Sequence, residues 1–540
     1  MADKENALIS VYNKNGLEEF ADGLVAQGFN IYASGGTARR ISEADIPVTD
    51  VAELIGGGSI LGHRVVTLSR EVHAALLAQK TPEDLEELER LGIPLIDLVA
   101  VDMYPLRDEL AKPDSTEESV TEQTDIGGPT MLRAAAKGRR IVLSRVEQRA
   151  EVLEWLKNGR PDEEEFRRRL AGIAEYEVAA YVLESARYLG GPAVFGFMGQ
   201  RVSTPLYGEN PWQGNAGIYM DRNSTNPLAF HRFEQHGGIE TSYNNVVEFA
   251  ERMTQTVAHI AAGFEKNFGE VPALAIGVKH GNPCGAAYAN TPHEAIRKMI
   301  EGDERAIFGG SIMLNFELDG ELAELLVSHG MPSDQKRLLD IVIAAGADED
   351  TIDILQRKTG KLRLLTNPAL AELGVDSLDT KPRFRYIPDG AAVQDNYTYV
   401  PNLKRDAAIL AGGWVSPEQE RDLVLAWGVG STSNSNTITL VKDGKLIGNG
   451  VGQQDRVGAA ELAIKRAKDA GHNVEGACAY SDSFFPYPDG PLILAEAGIG
   501  IILSSSGSVK DSEIAEALAA KKLQSFLTLP DKEARGFFGH

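Results

Sequence analysis

The stretch ALAIGVKHGNPCGAA, residues 273–287, decides the fold of the second part of the chain. Its apolar beginning predicts a strand over 273–278 that ends at Lys279 and His280, and the small and turn-forming residues at 281–285 predict a turn that leads into a helix. An imidazole and an ammonium group therefore stand side by side at a strand end. In such a pair the imidazole can take a proton from an amine while the ammonium stabilises a developing oxyanion.

A proline-cysteine pair at the start of a helix invites comparison with the zinc nucleobase deaminases. Those enzymes require an H-x-E motif and a P-C-x-x-C motif, which supply three metal ligands and a general acid/base. Here Ala287 occupies the position of the second cysteine, and no H-x-E precedes the segment. Since the chain has two cysteines, Cys284 and Cys478, the sequence predicts no catalytic metal. A metal-dependent deaminase stays as a competing interpretation that zinc analysis would test.

Strand-like and helix-like patterns alternate along the chain on both sides of this stretch. ALISVY (7–12) and NIYAS (30–34) are strand candidates, and each is followed by an amphipathic helical pattern. This alternation predicts α/β sheets with helices packed on their faces. Within 246–260 the apolar residues recur at the spacing of a core-facing helix. We expect His259, beside that stripe, to be structural.

A domain boundary is indicated where a long helical pattern over 162–189 ends at Gly190 and a passage rich in Gly, Pro and Ser follows. A second turn-rich passage lies within the following domain and predicts a connector between two smaller α/β units. The predicted domains are 1–198 and 199–540, the latter with subunits of about 199–365 and 405–540 joined by 366–404.

The formal net charge of −24 argues against a nucleic-acid partner. A protein that binds a nucleic-acid backbone carries a surplus of Lys and Arg, whereas this chain has 54 of those against 78 Asp and Glu. An anionic ligand must therefore be held by a few local donors. The apolar runs are far shorter than the ~20 residues of a membrane span. No secretory leader is recognisable, and two cysteines provide no disulfide framework, so we expect a cytoplasmic protein.

A candidate anion cradle lies in the first domain. The segment Ser34-Gly35-Gly36-Thr37 ends a strand and opens a helix, where small residues let backbone N–H groups approach a phosphate. A second glycine pair precedes Pro129, which suits a first helical turn. A plain turn explains either glycine pair equally well when it is taken alone. Judged by residue type, a site of cations, a carboxylate and a phenol could be formed by Lys14, Arg64, Tyr104, Asp125 and Lys137.

Further motifs of the second domain suit an anionic, flat ligand. A Gly-x-Gly-Gln-x-x-Arg stretch places Arg456 at a helix start, where its guanidinium suits a phosphate or carboxylate. Phe484 lies in a turn before Pro486, and an aromatic ring there can stack on a heterocycle. The motifs in question are SYNN (242–245), FGG (308–310), NSN (434–436), GVGQQDR (450–456) and SDSFFP (481–486).

Taken in order, these motifs resemble the bifunctional purine biosynthesis enzymes that combine AICAR transformylase with IMP cyclohydrolase. The resemblance runs over essentially the whole length. Jointly the motifs are highly specific, although each alone is weak. They are S-V-x-x-K-x-G, A-S-G-G-T, T-D-I-G-G-x-T-x-L-R-A-A-A-K, Y-G-E-N-P, S-Y-N-N, K-H-x-N-P-C-G, G-x-G-Q-x-x-R and S-D-x-F-F-P.

The resemblance implies a methylglyoxal-synthase-like cyclohydrolase domain followed by a transformylase domain of two cytidine-deaminase-like units, in an intertwined homodimer. It implies 10-formyltetrahydrofolate as co-substrate and no catalytic metal. The implied catalytic residues are Lys279, His280 and Asn436 for formyl transfer, and Tyr104, Asp125 and Lys137 for ring closure. The implied nucleotide or folate contacts are Ser10, Lys14, Ser34, Gly35, Gly36, Thr37, Arg64, Thr67, Tyr207, Asn245, Phe308, Asp340, Arg456, Phe484 and Arg535.

Four positions depart from the family pattern. Leu206 and Trp212 stand where the family has an Arg and a His in R-Y-G-x-N-P-H-Q, and Val66 stands where it has a Lys credited with a part in ring closure. Asp102 replaces an Asn. Losing one charged contact costs about 1.5–3 kcal/mol. Two alternatives therefore stay open: a transformylase with an impaired cyclohydrolase domain, and a non-catalytic nucleotide-binding relative.

Overall fold

The computed structural model describes residues 4–61, 64–355, 361–521 and 523–536, and the chain divides into two compact units, Met1–Met198 and Gly199–His540. The elements of the first unit are β1 Asn6–Val11, α1 Leu17–Ala26, β2 Asn30–Ala33, α2 Gly35–Ser42, β3 Thr49–Asp50, α3 Val51–Leu54, α4 Arg70–Leu77, α5 Pro82–Leu91, β4 Leu98–Asp102, α6 Leu106–Leu110, α7 Glu117–Glu122, α8 Gly127–Lys137, β5 Ile141–Leu143, α9 Gln148–Lys157 and α10 Glu163–Gly190.

The first unit is built on a five-stranded parallel sheet in the order β3-β2-β1-β4-β5. Successive residues of β1 pack into two different cores, with Ala7 and Ile9 on one face and Leu8 on the other. Burial on both faces explains why the strands are continuous apolar runs. The parallel arrangement brings the carboxyl ends of the strands to one edge, where α/β proteins bind ligands.

The second unit contains a longer series of elements. They are β6 Gln200–Ser203, β7 Ile218–Met220, β8 Glu234–Gly237, α11 Tyr243–Val246, a π-helix Val247–Met253, α12 Thr254–Phe268, β9 Ala273–Lys279, β10 Asn282–Ala289, α13 Pro292–Gly302, β11 Ser311–Leu314, α14 Gly320–Ser328, β12 Ile341–Ala344, α15 Glu349–Leu355, β13 Arg363–Thr366, β14 Arg383–Ile387, β15 Gly390–Gln394, α16 Leu403–Asp406, β16 Ala408–Gly412, α17 Pro417–Gly430, β17 Ile438–Lys442, β18 Lys445–Gly450, α18 Arg456–Asp469, β19 Cys478–Ser481, α19 Asp489–Glu496, β20 Ile501–Ser505, α20 Asp511–Ala519, β21 Ser525–Leu529 and α21 Asp531–Ala534.

The twelve-stranded sheet of this unit is a duplicated arrangement. Its order is β16-β21-β20-β19-β17-β18-β10-β9-β11-β12-β13-β8, so each half repeats the same topology outward from the centre. The halves meet where β10 and β18 pair antiparallel, with Ala287 opposite Lys445. Helices α12 and α17 cover one face of the centre, and their residues Val257 and Trp427 share one core. We call β8–β13 the first half and β16–β21 the second half.

The α/β prediction is confirmed, but the predicted helix after Cys284 is wrong. Residues 282–289 form strand β10, paired antiparallel with β9. His280 and Gly281 have φ of 52° and 76°, which makes a two-residue hairpin turn that reverses the chain directly into a strand. Pro283, which cannot donate to the ladder, is accommodated at a register shift between Pro283 and Gly285.

The helical stripe predicted over 246–260 is confirmed as buried, although Val247–Met253 is π-helical. His259 is structural, as expected. Its two ring nitrogens lie 2.8 Å from Gln255 O and 3.1 Å from Tyr397 O, and burial lowers its pKa to about 4. Within the described residues, no helix has the length and apolar character needed to cross a membrane.

Candidate functional sites

The first-unit cradle forms where β1 and β2 end. Ser10 Oγ and Ser34 Oγ lie 2.7 Å apart, and α2 begins directly after Ser34 with Gly35 and Gly36. The Lys14 ammonium donates to the Val11 carbonyl and lies 3.4 Å from Thr37 Oγ1. Burial lowers the pKa of Lys14. A helix N-terminus, two hydroxyls and a cation converge, which is an arrangement suited to a phosphate.

Asp102, at the end of β4, faces the same edge, but its charge is compensated locally. Its carboxylate accepts hydrogen bonds from Tyr12 N at 2.5 Å and Asn13 N at 2.9 Å, and Arg149 lies 3.7 Å away. Burial raises the pKa of Asp102 despite these contacts. The departure from Asn is therefore accommodated by donors of this chain.

A second cluster of the first unit surrounds Asp125. Its carboxylate accepts from Gly128 N at 2.8 Å and from Tyr104 N at 3.4 Å, and Tyr181 Oη lies 2.7 Å from its backbone N. Burial raises the pKa of Asp125 and of Tyr104. Thr67 is buried against Gly127, where a Cβ would stand 2.8 Å from Thr67 Oγ1. A carboxyl and a phenol, each with a raised pKa, thus lie near the start of α8.

Two predicted members of this cluster lie elsewhere in the chain. Lys137 is the last residue of α8, whereas Asp125 precedes its first, so about 15 Å of helix separates their positions. Arg64 is exposed and pairs with Glu122 at 2.8 Å. The single chain does not bring Lys137 to Asp125, and Arg64 is engaged by a carboxylate.

In the second unit the Lys-His pair occupies the turn between β9 and β10. Lys279 Nζ donates to Phe308 O at 2.8 Å, and among the described residues none forms a hydrogen bond, ion pair or ring contact with the exposed His280 ring. A cavity of about 220 Å³ is lined by both residues, and Asn282, Asp303 and Arg466 also contribute to its wall. The imidazole is therefore available to a ligand beside an ammonium whose direction is fixed.

Asn436 belongs to a cluster of the second half. Arg456 donates to Asn436 Oδ1, to Phe484 O at 2.8 Å, and pairs with Asp482 at 3.0 Å. Asp482 is fully buried, which makes this ion pair a fixed part of the cluster. The Arg535 guanidinium lies over the Phe484 ring at 4.7 Å and pairs with Asp531. Contacts therefore link Asn436, Arg456 and Phe484, which belong to sequence motifs, and Arg535, which the resemblance implied.

Asn245 and Asp340 meet at the same edge of the first half. Asn245 Nδ2 donates to Asp340 Oδ2 at 2.5 Å, and Arg363 pairs with the other carboxylate oxygen at 3.0 Å. The loop that carries Tyr207 is tied to this corner, because Asn244 Nδ2 donates to Glu209 O at 3.2 Å. In the same loop Leu206 and Trp212 are 87% and 81% exposed, so neither departure from the family is absorbed into a core.

Glu248 and Arg252 are site residues that motif reasoning missed. Gly281 N–H donates to Glu248 Oε1 at 3.1 Å, and Arg252 donates to Gly281 O at 2.9 Å and to Asn434 Oδ1. These contacts join the Lys-His turn to the segment that contains Asn436. The spacing of four residues places Glu248 and Arg252 on one side of a helix, but nothing in the sequence links them to Gly281. Arg363 and Asp482 were also missed.

Among the described residues, no group of three or more His, Cys, Asp or Glu is arranged to hold a metal ion. Cys284, the residue that prompted the deaminase comparison, is a partly buried residue, and desolvation of its thiol raises its pKa to about 12. Val66, which replaces the family Lys, packs against a hydrophobic core of the first unit.

Fold and sites are those of an α/β enzyme with a candidate centre in each unit. The profile of the AICARFT/IMPCHase bienzyme family matches residues 135–466, and that of the MGS-like domain matches residues 16–130. The chain belongs to the AICARFT/IMPCHase bienzyme family.

Full-length relatives agree. The bifunctional purine biosynthesis protein PurH of Desulfitobacterium hafniense is 36% identical over 527 residues, which cover 95% of this chain and 96% of that protein. PurH of Bacillus cytotoxicus is 35% identical over 94% of this chain and 96% of its own length. A solved structure described as the crystal structure of ForH is 34% identical, with 34% of this chain and 97% of that chain covered and a TM-score of 0.32.

Proposed function

We propose that this chain transfers a formyl group to the 5-amino group of AICAR and then closes the formylated product to IMP with loss of water. The observation that carries the proposal is the unengaged His280 imidazole beside Lys279, joined through Arg252 to the Asn434–Asn436 segment. Family membership over nearly the full length of the relatives supports both activities.

In formyl transfer, 10-formyltetrahydrofolate supplies the one-carbon group. His280 accepts the proton of the 5-amino nitrogen as that nitrogen bonds to the formyl carbon. Lys279 and the Asn436 amide stabilise the negative charge on the formyl oxygen. Tetrahydrofolate leaves as the bond between its nitrogen and the formyl carbon breaks, and that nitrogen takes up the proton that His280 accepted. The Phe484 ring, with Arg535 over it, suits a flat anionic ligand and gives the pteridine or the nucleotide base a surface to stack on.

In ring closure, the carboxamide nitrogen attacks the new formyl group and water is lost. Asp125 and Tyr104 move the protons, because burial keeps both groups protonated to a higher pH than usual. The Ser10, Lys14 and Ser34–Thr37 cradle holds the phosphate. The protein acts as a homodimer, and Lys137, at the end of α8, lies outside this centre within the single chain.

A transformylase without cyclohydrolase activity is the second candidate. Two observations favour it: Val66 packs in a core where the family has a Lys, and Lys137 lies at the far end of α8 from Asp125. The protein acts in the cytoplasm on small molecules, in either case without a catalytic metal.

Formyl transfer is tested with a substitution that preserves the turn. His280 has a positive φ that Asn tolerates, so His280→Asn removes the proton acceptor with little backbone strain. We expect kcat for formyl transfer to fall about 10²- to 10⁴-fold. Asp443→Asn is the matched control, because Asp443 has a φ of 54° in the equivalent turn between β17 and β18. Near-normal turnover of His280→Asn would remove His280 from the mechanism.

Ring closure is tested separately on the full-length protein supplied with formylated AICAR. We expect Asp125→Asn to lower ring closure by about 10²-fold or more while formyl transfer stays within about twofold. A wild-type protein that transfers formyl groups but forms no IMP would establish the transformylase-only alternative.

A further inference from the structure

Side chains of one helical segment bind both the backbone N–H and the backbone carbonyl of Gly281. The Gly281 N–H donates to Glu248 Oε1 at 3.1 Å, and the Gly281 carbonyl accepts from Arg252 Nε at 2.9 Å. Both side chains come from the π-helix Val247–Met253, a type of turn that recurs at functional sites. Glu248 is anchored in turn by the Ser311 hydroxyl. The backbone directly after His280 is therefore fixed at its donor and at its acceptor.

Arg252 also connects the first half of the unit to the second. Its terminal nitrogen donates to Asn434 Oδ1, and the backbone N of Asn434 lies 3.5 Å from Asn282 Oδ1. Asn434 is two residues before Asn436. Burial lowers the Arg252 pKa to about 10, so the guanidinium remains a cation at neutral pH and its hydrogen bonds are charge-assisted.

The equivalent hairpin of the second half, between β17 and β18, shows which of these contacts the two hairpins share and which belong to the first half. There the Gly444 N–H also donates to a carboxylate of the preceding helix, Asp422, at 2.8 Å. The Gly444 carbonyl accepts instead from the backbone N–H of Tyr288 at 3.1 Å. A carboxylate that accepts from the glycine N–H is therefore common to both hairpins. The guanidinium that donates to the glycine carbonyl is found in the half that contains the Lys-His pair.

We propose that Arg252 is a positioning residue for formyl transfer, which holds the Lys279–His280 turn in register with Asn436. The inference rests on the proposed transformylase activity. Arg252 acts through the Gly281 carbonyl and the Asn434 amide, not on the reacting atoms. Arginine suits the task because its planar fork donates in two directions at once, which an ammonium on a flexible stem does less well.

The test compares Arg252→Met and Arg252→Lys with Arg421→Met in the full-length protein. Arg421 is a matched control, because it is a partly exposed arginine of α17 that pairs with Glu270 at 3.1 Å and lies over the Phe268 ring at 4.4 Å. We expect Arg252→Met to lower kcat about 10- to 100-fold with KM within about twofold, since small displacements of catalytic groups cost this much. Arg252→Lys should recover part of the rate, and Arg421→Met should stay near normal.

Two further readouts keep the proposal separable from the proposed activity. Ring closure in the same samples should be unchanged; its parallel loss in Arg252→Met would mean a general structural role and overturn positioning. Hydrogen–deuterium exchange of residues 279–284 should rise in Arg252→Met and not in Arg421→Met. Unchanged exchange in Arg252→Met overturns the proposal, and this holds even if the wild type transfers no formyl group. If His280→Asn is inactive, a normal kcat in Arg252→Met also overturns it.

Discussion

The β9–β10 and β17–β18 hairpins occupy equivalent places in the two halves of the twelve-stranded sheet. Each has a two-residue turn of positive φ, with 52° and 76° at His280 and Gly281 and 54° and 77° at Asp443 and Gly444. A tight hairpin of this kind requires positive φ at both central residues. Each turn meets this requirement with a non-glycine residue followed by glycine. The shared geometry is thus a property of the duplicated architecture.

The lysines before the two turns are also equivalent. Lys279 Nζ donates to Phe308 O at 2.8 Å, and Lys442 Nζ donates to Glu475 O at 2.7 Å. Each acceptor precedes the next strand of its half by three residues, β11 in one case and β19 in the other. The lysine contact is therefore common to both halves, so the hydrogen bond of Lys279 is by itself no sign of catalysis.

What differs is the residue after the lysine and the group that holds the turn. The first half has an imidazole and the Arg252 guanidinium, whereas the second half has Asp443 and a backbone donor. If the proposed function holds, a few side chains on a repeated hairpin distinguish the catalytic hairpin from the structural one. This agrees with the general rule that function resides in sites placed on folds.

The largest effect that sharpens this comparison is expected for the two lysines. Lys279→Met removes the positive charge that we propose to stabilise the formyl oxygen, and we expect formyl transfer to fall about 10²- to 10³-fold in single-turnover measurements. Lys442→Met removes the equivalent backbone contact and should leave the rate within about twofold. Equal losses in both variants would show that the lysines act through the hairpin and not through the reaction.

Much of the fold could be predicted because its signals are local. The apolar runs and their alternation with helical patterns indicated α/β sheets, and the strand before Lys279 ends where the sequence predicted. The segment after it was wrongly predicted as a helix, because Pro283, Cys284 and Gly285 have no strong preference for a strand. Its extended form is set by pairing with β9 and β18, which are tertiary contacts.

The candidate site was predictable where a motif names its members, as for Asn436 with Arg456 and Phe484. Residues that act through backbone groups have no such signature. Glu248 and Arg252 contact Gly281 from the π-helix Val247–Met253. The apolar stripe in the sequence does not show where a π-helix replaces an α-helix. The separation of Lys137 from Asp125 likewise follows from α8 being continuous to its end.

An intermediate effect is expected in the pH dependence of stability. It comes from Asp422 of α17, which accepts a hydrogen bond from the second hairpin. Burial raises the pKa of Asp422 from 3.8 to about 6. Since the native carboxyl binds its proton more tightly than the unfolded one, its contribution to stability is greatest below about pH 4 and declines as the pH rises to about 6, by about 2–3 kcal/mol.

Asp422→Asn removes this titration. Urea unfolding between pH 4 and 7 should therefore show a shallower decline for the variant than for the wild type. Parallel curves for wild type and Asp422→Asn would mean that the carboxyl titrates normally in the native hairpin.

The smallest effects are expected at the glycines of the two turns. A Cβ at Gly444 would stand 3.0 Å from both Lys298 Nζ and Tyr288 O, whereas at Gly281 the nearest atom is Arg252 Cγ at 3.4 Å. Alanine at positive φ costs about 1–2 kcal/mol in either turn. Thermal or urea unfolding should therefore show Gly444→Ala as the less stable variant, by about 0.5–1 kcal/mol.

Activity should follow the opposite order, because the Gly281 variant displaces the backbone that carries His280 while the Gly444 variant disturbs a structural turn. Formyl transfer by Gly281→Ala should fall by about tenfold and that by Gly444→Ala should not change beyond its folded fraction. If the more destabilised variant also lost more activity, stability alone would govern the rate, and the functional distinction between the two hairpins would fail.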